Sequence, residues 1–316
     1  MKLIGNLFNS VRDRPAYTLM RVPARFSGVR LLVSSARAAV QRRKTARMLQ
    51  DYDARRTESV FNNIQVEEFL ASFAKVGVAE GLQLPNKTLA EIITWAKAEP
   101  VYAMRDPARG FWLNDHDAAE DLLGESIILA QYFNSYRNCS AIRQLAEDPI
   151  LNLIALRHLG SVPKFLGANL WWTFPGEHSE EARRKHAQYF HRDIDDFKFI
   201  KFFFYLTDVL PGEGGHWVVK GSHEKHPHIA LKDVFLIRRF EDQEISNFYH
   251  DDCITEITGR AGKGFAENTL CVHKAGSPER KPRLVLQLQY GLFRYEKPYD
   301  EIDPERLEMC TSLHSG

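Results

Sequence analysis

Residues 188–223 read QYFHRDIDDFKFIKFFFYLTDVLPGEGGHWVVKGSH. The stretch opens with His191-x-Asp193, continues as a long apolar segment, and turns at Gly212, Gly214 and Gly215 into a Gly221-Ser222-His223 corner. Phe197 to Leu206 is apolar on both faces apart from Lys198 and Lys201, the pattern of a strand covered by a second layer. In an extended chain side chains alternate, so His191 and Asp193 point the same way and could hold one ion from one side. Taken alone, the tripeptide also fits a surface histidine and aspartate at the start of a strand. A third ligand would have to come from elsewhere. His273 ends another apolar run, TLCVH, 82 residues downstream. Two histidines and one carboxylate on one side of a metal form an open-sided triad of the kind used by non-haem iron oxygenases.

Beyond His273 the chain reads SPERKPRLVLQLQY over residues 277–290. Arg283 opens a strand in which Leu284, Leu286 and Leu288 alternate with Val285, Gln287 and Gln289. An arginine there is suited to grip a dicarboxylate through its planar fork. The order His191-x-Asp193, glycine-rich turn, His273, Arg283 resembles the phytanoyl-CoA dioxygenase-like group of Fe(II)/2-oxoglutarate oxygenases, over Lys164 to Phe293. The resemblance implies an α+β chain with a double-stranded β-helix, a cupin-like jelly roll. It also implies that His191, Asp193 and His273 ligate Fe(II) and that Arg283 binds the C5 carboxylate of 2-oxoglutarate. Arg280 is the nearest rival for that role, but it precedes Pro282 in a loop. Ala275 departs from the pattern, because a small hydroxyl residue often stands two positions after the distal histidine. Tyr205 has a hydroxyl that could reach the co-substrate or be satisfied within the core. The implied reaction consumes O2 and 2-oxoglutarate and hydroxylates an unactivated C–H bond. Asp193 favours hydroxylation over halogenation, since related halogenases carry a small residue there. A jelly-roll hydrolase or isomerase with another metal, and a non-catalytic binding module, are the alternatives.

With 316 residues, a net charge of +1 and 44% hydrophobic content, the chain can bury one elaborated domain. No apolar run is long enough to span a bilayer, and the start lacks a secretory signal. Cys139, Cys253, Cys271 and Cys310 are widely spaced, which fits free thiols in a reducing compartment and a cytoplasmic location. The first fifty residues carry eleven Lys/Arg against one acid, so the remainder holds about nine excess negative charges. Between Arg30 and Leu49 the apolar Leu32, Val33, Ala36, Val40 and Ala46 fall near helical spacing. This leader is read as a helix packed on the chain's own acidic body. Weak peripheral contact with an anionic membrane, or organelle targeting, are the other readings. Nucleic acid is excluded as a partner, since no aromatic interleaving or binding motif accompanies the charges.

The domain reading is a basic arm over 1–50, a helical region over 51–163, the catalytic core over 164–295 and a polar tail over 296–316. Helices are expected to stop at Gly77, before Pro100 and at Gly160, the last with Asp148 as N-cap and Pro149 in its first turn. Residues 105–117 read as an ordinary surface connection, with a substrate lid as the alternative. Trp171 and Trp172 fit inter-sheet core or a pocket wall. His223, His226 and His228 read as a solvated turn rather than a second metal site. The substrate is a small or lipid-like molecule, with acyl and lipid-linked compounds both open.

Overall fold

The computed structural model describes residues 15–224, 238–298 and 300–310. His226 and His228, and the leader up to Arg14, lie outside them. In chain order the strands are β1 (Val78–Gln83), β2 (Val101–Ala103), β3 (Gly110–Phe111), β4 (Leu129–Tyr132), β5 (Lys164–Thr173) and β6 (Phe199–Tyr205). There follow β7 (His216–Val219), β8 (Ile254–Ile257), β9 (Lys263–Glu267), β10 (His273–Ala275) and β11 (Arg283–Gly291). They form two sheets, one in the order β1-β9-β6-β11-β5-β4-β2-β3 and a smaller one in the order β10-β7-β8. The strand pairs within both are antiparallel.

The alternation along β11 decides which face meets which layer. Leu284, Leu286 and Leu288 join Phe202, Phe204 and Leu170 in the core that the helices cover. Val285, Tyr205, Phe203 and Trp171 point the other way and share a core with Val218 and Ile257 of the small sheet. The neighbouring tryptophans therefore divide: Trp171 faces the small sheet, and Trp172 packs on the helical side. Register places Gln287 between Asn169 and Phe203, and Gln289 between Gly167 and Lys201. All seven residues of β6 are buried, as its two-sided apolar pattern requires.

On the helical side, Pro149–Leu159 packs against β6 and β11 and against the long helix Ser27–Ala54. Asp148 caps the former by accepting from the amides of Ile150 and Leu151 at 2.9 and 3.1 Å, and Gly160 ends it in the left-handed region. The helix Val66–Val76 stops at Gly77, whose φ of 80° and close neighbour suit only glycine. A Cβ there would lie 2.3 Å from Cys271 Sγ.

Two expectations change. The region 65–160 carries helices, but it also supplies β1 to β4 at the two ends of the large sheet. β2, β3 and β4 are only three, two and four residues long, too short for a period-2 pattern to emerge. The helix Ser27–Ala54 forms where the leader's spacing placed one, but Leu32, Ala36 and Val40 face outward. No helix of the described residues is long and apolar enough to cross a membrane. Among the described residues the four cysteines are free.

Candidate metal centre

His191 and His273 face each other as a narrow antiparallel bridge, each amide donating to the other's carbonyl at 2.8 and 2.9 Å. This pairing sets the two rings 4.3 Å apart between centroids. Each ring has its Nδ1 against a backbone carbonyl, Tyr189 O at 2.9 Å for His191 and Cys271 O at 3.0 Å for His273. A carbonyl can only accept, so both Nδ1 atoms carry the proton and both Nε2 lone pairs are left free. Those Nε2 atoms converge on one carboxylate. His191 Nε2 lies 3.6 Å from Asp193 Oδ1, and His273 Nε2 lies 3.5 Å from Asp193 Oδ2. The three candidate ligand atoms all lie within 4.8 Å of one another. Neighbouring ligands at about 2.1 Å from a metal stand about 3 Å apart, so a small contraction closes the site around a divalent ion. Donor set, tautomers and spacing fit the metal that the motif implies.

The surroundings are charged and largely buried. Lys201 Nζ donates to Asp193 Oδ2 at 2.6 Å and pairs with Asp195 Oδ2 at 2.8 Å. Burial works against the ionised Asp193, but Lys201 and then the two histidines outweigh it and hold its carboxyl well below the usual range. Burial, with His273 beside it, pushes His191 well below the usual imidazole range. His273 moves upward, with burial opposing and Glu267 and Asp193 prevailing. Glu267 has no solvent exposure, lies 2.5 Å from His216 Nε2, and leaves Oε1 without a hydrogen-bond partner among the described residues. The His216 ring stacks on that of His273 at 5.5 Å.

A cavity of about 390 Å³ opens over the three residues. Trp171 and Phe203 supply apolar wall, and Gln131, Asn169, Gln287 and Gln289 supply amides. Arg283 lies on the same face of β11 as Gln287 but outside this wall. Its guanidinium is buried, makes a long contact to Thr173 Oγ1 at 3.4 Å, and has no partner at Nε among the described residues. Arg280 is exposed and pairs with Glu213 at 3.0 Å. Tyr205 does not line the cavity; its hydroxyl donates to Ile257 O at 2.6 Å and accepts from the His216 amide at 2.9 Å. Sequence reasoning passed over Lys201, Arg105 and Arg239, all of which line the cavity. Lys201 had a signal, a lone cation in an otherwise apolar strand that must find a partner indoors. Arg105 stands in the stretch read as a surface connection, with a substrate lid as the alternative.

No family model matches the chain, and no curated protein matches its sequence. Solved structures do. The epimerase SnoN, in complex with Fe3+, alpha ketoglutarate and nogalamycin RO, superposes with a TM-score of 0.51 at 16% identity. That match covers 79% of this chain and 96% of SnoN. EctD from S. alaskensis with bound Fe gives a TM-score of 0.51 at 17% identity, covering 78% of this chain and 83% of EctD. At such identities the common property is the fold alone.

Proposed function

We propose that this chain is an Fe(II)- and 2-oxoglutarate-dependent dioxygenase that hydroxylates an unactivated C–H bond of a small-molecule substrate. Its two sheets would form the double-stranded β-helix of that class. The observation that carries the reading is the convergence of two Nε2 atoms of fixed tautomer and one carboxylate at the floor of a cavity. On this reading His191, Asp193 and His273 hold Fe(II), which when bound couples O2 reduction to oxidative decarboxylation of 2-oxoglutarate and substrate oxidation.

The chain's own residues do the rest. Arg283 is a buried cation with no carboxylate in salt-bridge range among the described residues, a state that costs several kcal/mol if left so. The far carboxylate of 2-oxoglutarate would relieve it through the guanidinium, whose Nε has no partner among the described residues. Gln287, on the same face of β11, leads from Arg283 into the cavity. Tyr205 serves structurally, tying β6 to β7 and β8 through its two hydrogen bonds. Trp171 and Phe203 keep water from one side of the centre.

The test is succinate formation from 2-oxoglutarate by anaerobically Fe(II)-loaded protein exposed to air, beside His191→Ala and Arg283→Ala. Slow turnover is expected in the wild type, none in His191→Ala, and recovery of Arg283→Ala only at higher 2-oxoglutarate. Absence of turnover together with absence of Fe(II)-dependent 2-oxoglutarate binding would refute the assignment.

A further inference from the structure

The cavity over the three candidate ligands holds more positive charge than its own acids neutralise. Asp193 and Asp195 are the carboxylates in its wall, and both are engaged by Lys201. Arg105, Arg239 and Lys185 remain. His186 adds no charge at neutral pH, because burial, then Arg105 and Lys185, push it down to about 4. The two arginines come from opposite sides of the chain. Arg105 follows Met104 in a turn where both residues adopt left-handed φ values of 55° and 61°. Such values are uncommon for side chains of this size, and here they place the guanidinium in the cavity wall. Arg239 donates through Nε to Arg184 O at 3.1 Å, while its Nη1 is buried without a partner among the described residues. Arg105 is exposed and Arg239 half-buried, and the charge of Asp193 acts on both, so each lies within electrostatic reach of the centre.

A buried donor without an acceptor among the described residues, in the same cavity wall as a second guanidinium, suits an oxyanion. The rest of the wall is amide-rich, with Gln131, Asn169 and Gln287 available to hydroxyl or amide groups. At about 390 Å³ the space is near the small end for ligand pockets. We propose that Arg105 and Arg239 form a substrate-anchoring subsite, and that the substrate is a compact polar molecule bearing a carboxylate or a phosphate, not a long acyl chain. The proposal deepens the oxygenase reading by naming the substrate class, but anion capture itself needs neither iron nor turnover.

The probe is inorganic phosphate, titrated into the metal-free full chain at fixed ionic strength and followed by tryptophan fluorescence, with Trp171 in the same wall. Acetate and methyl phosphate in parallel arms distinguish a carboxylate from a phosphate ester by their relative affinities. Saturable binding is expected, weakened about tenfold in each of Arg105→Gln and Arg239→Gln. Binding should be largely kept in Arg239→Lys and unchanged in Arg283→Gln. The lysine variant separates loss of charge from loss of folding. No saturable binding, or binding indifferent to Arg105 and Arg239, overturns the proposal. Loss in Arg283→Gln alone also overturns it, because the anion would then be in the co-substrate's place. Succinate formation is measured separately, so failure of the oxygenase reading would leave a positive phosphate result standing, and the reverse.

Discussion

Replacing Lys201 by methionine tests whether Asp193 sits between a lysine and a metal. Lys201 is 5% exposed and holds two carboxylates at 2.6 and 2.8 Å. Methionine keeps the length of the stem, so packing changes little while the charge disappears. Removing one partner of a buried pair costs about 3–5 kcal/mol. Asp195 keeps the Tyr17 hydroxyl at 2.6 Å and Gln289 Nε2 at 3.2 Å, so the lower end of that range applies. At about 2 °C or a little more per kcal/mol for a chain of this size, metal-free Lys201→Met should melt about 6–9 °C below the wild type. A divalent ion at the triad would return positive charge to Asp193. Saturating Ni(II) should therefore stabilise the variant more than the wild type and narrow the gap. The assay is thermal unfolding of both proteins, chelator-treated and with Ni(II). Equal metal-free melting would show that the lysine pair contributes nothing net. A gap that Ni(II) leaves untouched would place Asp193 away from the metal and refute the assignment.

Three further outcomes follow from the same geometry. His273→Gln should lower Ni(II) affinity by at least about 100-fold in competition with a fluorescent chelator, since losing a ligand exceeds the cost of losing a second-sphere partner. Tyr205→Phe leaves the His216 amide without its acceptor and should cost about 1–3 kcal/mol in denaturant unfolding, with the KM for 2-oxoglutarate unchanged. A large rise in that KM would return Tyr205 to the co-substrate. His158, with Nε2 3.2 Å from Phe199 O and its ring edge-on to Phe73, is depressed to about 3, chiefly by burial. Below pH 6.5 the unfolded chain takes up a proton that the folded chain refuses. Stability should thus fall as pH drops from 6.5 toward 3, by at most about 1.4 kcal/mol per pH unit. His158→Gln should flatten that limb of the pH–stability curve; an unchanged limb contradicts the depressed value.

The parts of the site that follow a strand's two-residue period could be read in advance. The leucines of β11 go to the helices because they alternate with Val285, Gln287 and Gln289. The same rule divides Trp171 from Trp172, since adjacent residues cannot both face the cavity. His191, by contrast, forms an isolated bridge, and Asp193 lies outside any strand, held by its amide on Thr269 O. β1 escaped because it is an edge strand whose VAEGLQ sequence exposes Glu80, Gly81 and Gln83, so its pairing with β9 carries the strand where propensity does not. Arg105 and Arg239 escaped for a different reason. They reach the cavity from irregular segments, where no period relates a residue's number to its direction. Their position depends on tertiary placement of the turn at 104–105 and of the chain beyond Arg238, and neither leaves a mark in composition.

The leader shows how a correct helix can carry an inverted expectation. An apolar stripe normally seeks the body and charges seek water. Here Leu31, Leu32 and Val40 are 68%, 70% and 82% exposed. Arg37 lies over the Phe293 ring at 4.8 Å, and Arg30 Nη1 donates to the carbonyls of Ala24 and Arg25 at 2.9 and 3.0 Å. The inward face of the helix Ser27–Ala54 thus works through guanidinium groups, and its Gln41 accepts from the Val162 amide. Just before that helix, Met20 and Ala24 are buried with Ile194, Phe199 and Leu270, and Tyr17 reaches Asp195. Asp195 holds Lys201, and Lys201 holds Asp193. The leader therefore meets the candidate metal centre through one continuous set of hydrogen bonds, which ties its packing to the orientation of a candidate ligand.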